Sequence, residues 1–181
     1  MTSPVEIAEY DPAWRPRFAA LGAELRRALG PVAVRIDHIG STAVPGLAAK
    51  PVVDVQISVV TLDPVEVFAA PLQELGWRYR SENPERTKRY FREPPGRPRT
   101  HVHVRRSGSF SEQFPLLLRD FLRQDGGACD ELAAVKRRCA AEHRHDRAAY
   151  VTAKDAFVWE LVRRADRWAQ HTGWQPGPSD A

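Results

Sequence analysis

The stretch that most constrains this chain is Val52–Val60. Val53, Val55, Ile57 and Val59 alternate with Asp54, Gln56 and Ser58. A period of two residues is the signature of a β-strand with one apolar and one polar face. A carboxylate displayed on the polar side of a core strand is placed for chemistry as well as for solvation. The rest of the chain is read from this strand outward.

On the N-terminal side, the spacing of Trp14, Phe18, Leu21, Leu25 and Leu29 predicts a helix over Asp11–Leu29,. Gly30-Pro31 ends it, and the β-branched run Val32–Ile39 predicts a strand,. On the C-terminal side, Asp63–Leu75 reads as a helix closed by Gly76, and Trp77–Arg80 and Arg89–Glu93 as short strands. Thr100–Arg105 is a further strand with His101, His103 and Arg105 on one face and Val102 and Val104 on the other,. Helices are predicted near Phe110–Arg123, Asp130–His143 and Arg147–Gln170, the first two separated by Gly126-Gly127. The expected fold is α/β or α+β: a mixed sheet flanked by helices, with a helical C-terminal third. One domain spans 1–170, and 171–181, polar and broken by Gly and Pro, is expected to fray,.

Composition narrows the class. A chain of 181 residues has enough core to fold without disulfides or a structural metal,. No stretch approaches the ~20 apolar residues of a membrane span, and Met1–Tyr10 lacks the pattern of a secretory signal,. Two cysteines, Cys129 and Cys139, are too few for a disulfide scaffold, so a cytoplasmic location is expected,. The net charge is +4, but the basic residues are nearly all Arg. That bias reflects genome base composition better than a nucleic-acid ligand. No RNA-binding signature or zinc-finger spacing is present, so specific nucleic-acid binding is not expected.

The chemistry is concentrated between His38 and Val55. A strand ends in Gly40-Ser41-Thr42, a loop punctuated by Pro45 and Gly46 follows, and the next strand carries Asp54. A Gly-Ser turn lets backbone N–H groups and a hydroxyl approach phosphate oxygens, and an adjacent carboxylate can hold a divalent metal against them. This segment resembles the signature of the GrpB family, of the nucleotidyltransferase-like superfamily. Tyr10-Asp11-Pro12-Ala13-Trp14, Thr100-His101-Val102-His103-Val104 and the Tyr150-x-x-x-Lys154-x-x-Phe157 stretch are similar to it as well, so the resemblance covers roughly Val5 to Trp168.

The resemblance implies the nucleotidyltransferase plan: a Gly-Ser turn, an Asp-x-Asp pair on one strand and a third carboxylate on a later strand, together holding two metal ions. Gly40 and Ser41 match the turn and Asp54 the first carboxylate. Gln56 stands at the second position, and the third strand offers His101 and His103. Imidazole with carboxylate suits first-row metals better than Mg²⁺. The expected metal set is therefore Asp54, His101 and His103, with Mg, Mn or Zn. Asp54, His101 and His103 are also the candidate catalytic residues, one histidine acting as ligand or general base. Gly40, Ser41, Thr42, Lys50, Tyr150 and Lys154 are the candidates for holding phosphate or nucleotide. Arg89 and Arg119 are further anion candidates. A direct Asp54–His hydrogen bond without metal is the competing arrangement. The expected function is a metal-dependent enzyme acting on a nucleotide or phosphorylated small molecule. The alternative is a non-catalytic nucleotide-binding module of the same fold, and a GrpB-like unit fused to a dephospho-coenzyme A kinase in some relatives fits either.

Overall fold

The Trp14, Phe18, Leu21, Leu25 stripe lies buried along helix α1 (Trp14–Leu29). In the computed structural model, which describes residues 4–181, there follow β1 (Arg35–Ile39), β2 (Val53–Val59), α2 (Glu66–Glu74), β3 (Arg78–Tyr79), β4 (Lys88–Arg92) and β5 (Thr100–Arg106). Helices α3 (Phe110–Gln124), α4 (Gly126–Glu142) and α5 (Arg147–Thr172) complete the chain. Residues 1–3 of the stretch read as lacking a secretory signal lie outside the described residues. No described helix is long and apolar enough to cross a membrane.

The strands form one mixed sheet in the order β1-β2-β5-β4-β3. Among the described strands only β2 and β5 are parallel, with Asp54 opposite His101 and Gln56 opposite His103. The parallel step requires a crossover, which α2 with the β3–β4 hairpin supplies,. Val53, Val55 and Ile57 of β2 and Val102 and Val104 of β5 pack in one cluster with Phe18 and Leu25 of α1 and Phe68 and Leu72 of α2. Burying each such side chain is worth about 1.5–3 kcal/mol.

The opposite face is covered by α3, which touches β1 and β5, with α4 and α5 packed on it. A second cluster joins Val44, Leu47 and Ala48 of the β1–β2 loop to Leu122, Ala128, Leu132 and Leu161 of these helices. The loop that carries the Gly-Ser turn is thus clamped to the helical layer.

Several boundaries shift by a few residues from the sequence reading, and three of the differences have a visible local reason. Gly30–Val32 forms a 3₁₀ turn, so β1 begins only at Arg35. Asp63 does not cap α2, because its carboxylate accepts hydrogen bonds from Arg89 at 3.0 and 3.3 Å. Gly126-Gly127 lies inside the first turn of α4, because the Asp125 carboxylate accepts from the Ala128 N–H at 2.9 Å and starts the helix there,.

The expected frayed tail is overturned. Residues 177–181 run along the outer edge of β1. The Ala181 N–H donates to the Ile36 carbonyl at 3.1 Å, and Ser179 Oγ accepts from the Ile36 N–H at 2.9 Å. Asp180 Oδ2 accepts from the His38 N–H and from Arg119, both at 2.9 Å. An edge strand exposes a row of unpaired N–H and C=O groups, and the tail's polar residues satisfy them. Polarity that looked like solvation is pairing.

Candidate functional site

Because side chains two apart on a strand share a face, β2 and β5 present Asp54, His101 and His103 to the helical side together,. His101 Nδ1 lies 3.0 Å and His103 Nε2 3.3 Å from the same oxygen, Asp54 Oδ1. One ligand atom from each of the three residues falls within 4.8 Å of the others. Burial opposes ionisation of Asp54, but the hydrogen bonds from both histidines outweigh it and hold the carboxyl well below the usual range. Burial pushes His103 down to about 4, against the pull of Asp54. At neutral pH the centre is therefore a carboxylate facing an uncharged His103.

That donor set fits a first-row divalent metal: one ionised oxygen and imidazole nitrogens aimed at a common point. It equally satisfies the direct hydrogen-bond arrangement. The far ring nitrogens, His101 Nε2 and His103 Nδ1, are buried and have no partner among the described residues. The centre thus has unused hydrogen-bonding capacity on both sides.

The Gly-Ser turn abuts this carboxylate. Gly40 has φ +72°, and a Cβ there would stand 2.8 Å from Asp54 Oδ2. Only glycine allows both the left-handed backbone and the close approach. Next to it, Ser41 Oγ accepts from Lys136 Nζ at 2.6 Å, and Lys136 also donates to the Ala48 carbonyl at 3.1 Å. Lys136 is 5% exposed. Burial, helped by repulsion from Lys154 and Lys50, pushes its amine down to about 7. Sequence reasoning missed Lys136. The available signal was scarcity: it is one of only four lysines in the chain.

These groups border a cavity of about 410 Å³ whose polar wall includes Ser41, Asp54, His103, Arg105, Lys136 and Lys154. Phe114, Pro115, Leu118, Leu122, Leu132 and Val158 form the apolar wall. The volume suits a small organic ligand. Among the described residues Asp54 is the only acid on a wall that carries several cations, so the cavity favours an anion.

The remaining candidates divide. Gly40, Ser41 and Lys154 reach the cavity. Thr42 does not face it: the hydroxyl is buried between His38 Nε2 at 3.0 Å and the Val52 carbonyl at 3.2 Å. Tyr150 is buried, with Lys50 Nζ 4.9 Å and Lys154 Nζ 5.8 Å from its ring centre, so it holds the two lysines by cation–π attraction,. Lys50 lines a different, smaller hollow with Arg99 and Arg147. Burial, with repulsion from Arg147 and Lys154, pushes Lys50 down to about 8. Arg89 is spent on Asp63 and does not line the cavity. Arg119 lines the cavity, yet its donors go to the His38 carbonyl, Asp120 and Asp180. Gln56 is fully buried and used at both ends. It accepts from Arg105 at 2.8 Å and donates to the Glu112 carbonyl at 3.1 Å. It holds Arg105 in the wall and has no free oxygen for a metal.

A family model described as GrpB protein matches residues 4–164. A UPF0157 protein of Pseudomonas aeruginosa is 36% identical, the match covering 96% of this chain and 72% of that one. The UPF0157 protein YqkA of Bacillus subtilis is 32% identical over 91% of this chain and 48% of its own length. A dephospho-CoA kinase of Mycolicibacterium paratuberculosis is 35% identical over 96% of this chain and 49% of its own length. The chain thus spans about half the length of several curated relatives it matches. Among solved structures, GrpB from Enterococcus faecalis superimposes with a TM-score of 0.81 at 29% identity, covering 90% of this chain and 99% of that one. The poly(U) polymerase Cid1 bound to its product ApU superimposes at 0.53 with 14% identity, over 81% of this chain and 48% of that one. At that identity the likeness is one of fold.

Proposed function

The chain belongs to the GrpB family, and on that premise we propose that the cavity beside Asp54 binds a nucleotide or another phosphorylated small molecule together with a divalent metal. The observation that carries the reading is the convergence of Asp54, His101 and His103 at the edge of a cavity whose other polar wall holds Ser41, Lys136 and Lys154. Asp54 Oδ1, His101 Nδ1 and His103 Nε2 would hold the metal, which supplies Lewis-acid polarisation of a phosphate oxygen when bound. Ser41 and Lys136 orient a phosphate against the Gly-Ser turn, and Lys154 adds charge. Arg105, held by Gln56, stabilises negative charge that develops on the transferred group,. The reaction class is nucleotidyl transfer or a related phosphoryl or hydrolytic step. The ligands bound to Cid1, ApU and a UTP analogue, support a nucleotide. The kinase name of the longer relatives belongs to proteins of about twice this length, and it carries no activity to this chain.

A non-catalytic binding module is the second reading, and Gln56 favours it. The position where nucleotidyltransferases carry a second carboxylate is here a neutral side chain committed to Arg105 and the Glu112 backbone.

The test is metal analysis with calorimetric titration of Mn²⁺, Zn²⁺ and nucleoside triphosphates. Asp54→Ala and His103→Ala are expected to lose metal and metal-dependent nucleotide binding while circular dichroism stays unchanged. If both variants keep the metal content and nucleotide affinity of the parent chain, the metal site is wrong. Turnover of a nucleotide by the metal-loaded protein selects the enzyme. Binding without turnover selects the module.

A further inference from the structure

Three aromatic rings stand in a row on the outer surface of the helical layer. Phe110 and Phe114, one turn apart on α3, have ring centres 6.1 Å apart and planes inclined by 24°. Trp159 of α5 continues the row at 5.9 Å and 25° from Phe114. Phe110 is 71% and Trp159 51% exposed. None of the three belongs to the buried clusters that hold the fold together. Large apolar side chains left in water as a contiguous patch mark an interaction surface.

The position of the row says what kind of ligand it meets. Phe114 is a wall of the cavity that holds Asp54 and Ser41, and Val158, the neighbour of Trp159, is another. Phe114 and Arg105 also border a second, wider cavity of about 840 Å³ that continues outward past Phe110 and is lined by Lys88 and Arg106. The two cavities share Phe114 and Arg105, so a ligand whose phosphate lies at Ser41 and Lys136 meets the aromatic row at Phe114. Nearly parallel, offset rings are the arrangement that extends by one more flat ring. The anionic half of the ligand is drawn by the first cavity, where Arg105, Lys136 and Lys154 stand on the wall, while the wider one carries acids, Asp63 and Glu85, as well as cations.

We propose that Phe110, Phe114 and Trp159 form a stacking platform for the heteroaromatic base of a nucleoside phosphate. The site then selects nucleotides over other phosphorylated small molecules. The proposal rests on the anion-binding reading of the Asp54 cavity and adds to it the second half of the ligand.

The experiment separates the two halves. Binding of adenosine and uridine triphosphates and of inorganic tripolyphosphate is measured by calorimetry on the full chain and on Trp159→Ala and Phe110→Ala variants. Both residues are exposed, so the variants are expected to fold, and circular dichroism checks this. On the parent chain a nucleoside triphosphate should bind about tenfold more tightly than tripolyphosphate, the scale of one base–aromatic stack. Trp159→Ala should remove most of that preference and leave tripolyphosphate affinity unchanged. Tripolyphosphate that binds as tightly as the nucleotides, or a preference that survives in both variants, overturns the platform but leaves the anion cavity standing. Failure of all three ligands to bind overturns both. A single-stranded oligonucleotide that binds the parent chain while mononucleotides do not assigns the row to a polymer and overturns the proposal as stated. So does loss of a concentration-dependent dimer in the Trp159→Ala variant with nucleotide affinity unchanged.

Discussion

The two faces of the central sheet come from the same residues taken alternately, and they behave as different materials. Toward α1 and α2, Val53, Val55, Ile57, Val102 and Val104 are fully buried and purely apolar. Toward α3, Asp54, Gln56, His101, His103 and Arg105 form a polar, hydrogen-bonded surface, of which Asp54, His103 and Arg105 line a cavity. The apolar face is stabilised by removing surface from water, a non-directional effect that tolerates many sequences. The polar face is directional. Each group there is bound to a stated partner or left facing space, so a change in it alters binding more than stability.

Phe91→Ala should give the largest effect of all. Phe91 is fully buried on the apolar side between Phe68 and Tyr79. Truncation should cost about 3–5 kcal/mol in denaturant unfolding. A loss below about 1 kcal/mol would mean that the two faces do not differ in kind.

Gly40→Ala comes next, on the polar face. A left-handed backbone costs a non-glycine residue about 1–3 kcal/mol, and the new Cβ collides with the Asp54 carboxylate. Stability should fall by that order, and metal and nucleotide binding should fall with it. A fully stable variant with intact binding would show that the turn and the carboxylate are independent.

Lys136→Met should leave stability nearly unchanged and weaken anion binding about tenfold, measured with sulfate, which does not titrate between pH 6 and 9. The Lys136 amine is pushed down to about 7. It is charged below that pH and neutral above, so sulfate affinity of the parent chain should fall as pH rises through 7. The variant's affinity should stay flat across the same range. Parallel pH profiles for the two proteins would remove Lys136 from the anion site.

The smallest effect at neutral pH is expected from His38, a buried polar residue on the apolar face. Its ring stacks on Phe18 at 4.7 Å and meets Thr42 Oγ1 at 3.0 Å. Burial pushes it from an ordinary 6.5 down to about 4, with Asp180 and Asp54 pulling the other way. Between those values the unfolded chain binds a proton that the folded chain refuses, so stability rises with pH across the window and is lost as pH falls through it. His38→Asn should flatten the slope of unfolding free energy against pH between about 4 and 6.5. An unchanged slope would assign the acid sensitivity to other groups.

Much of this was legible in one dimension. Alternation in Val52–Val60 and Thr100–Arg105 told which residues share a face, because a strand's period is a local property of its backbone. The Gly-Ser turn announced itself through residue type. The aromatic row was not visible as such, since Phe114 and Trp159 meet only when α3 packs on α5.

What the amino-acid order determined by itself was the set of elements, the polar and apolar faces of the two central strands, and the candidacy of Asp54, His101 and His103. The tertiary structure decided what those residues meet. Parallel pairing of β2 with β5 placed Asp54 opposite His101 rather than one residue away, and a slip of one residue would have turned the histidines to the other face. Packing of α4 brought Lys136 to Ser41 across 95 residues, and the edge of β1 drew in a tail that local polarity marked as loose. Periodicity and residue type act within a few residues and are written in the sequence directly. Register, helix placement and edge pairing depend on surfaces that exist only once the rest of the chain has folded against them.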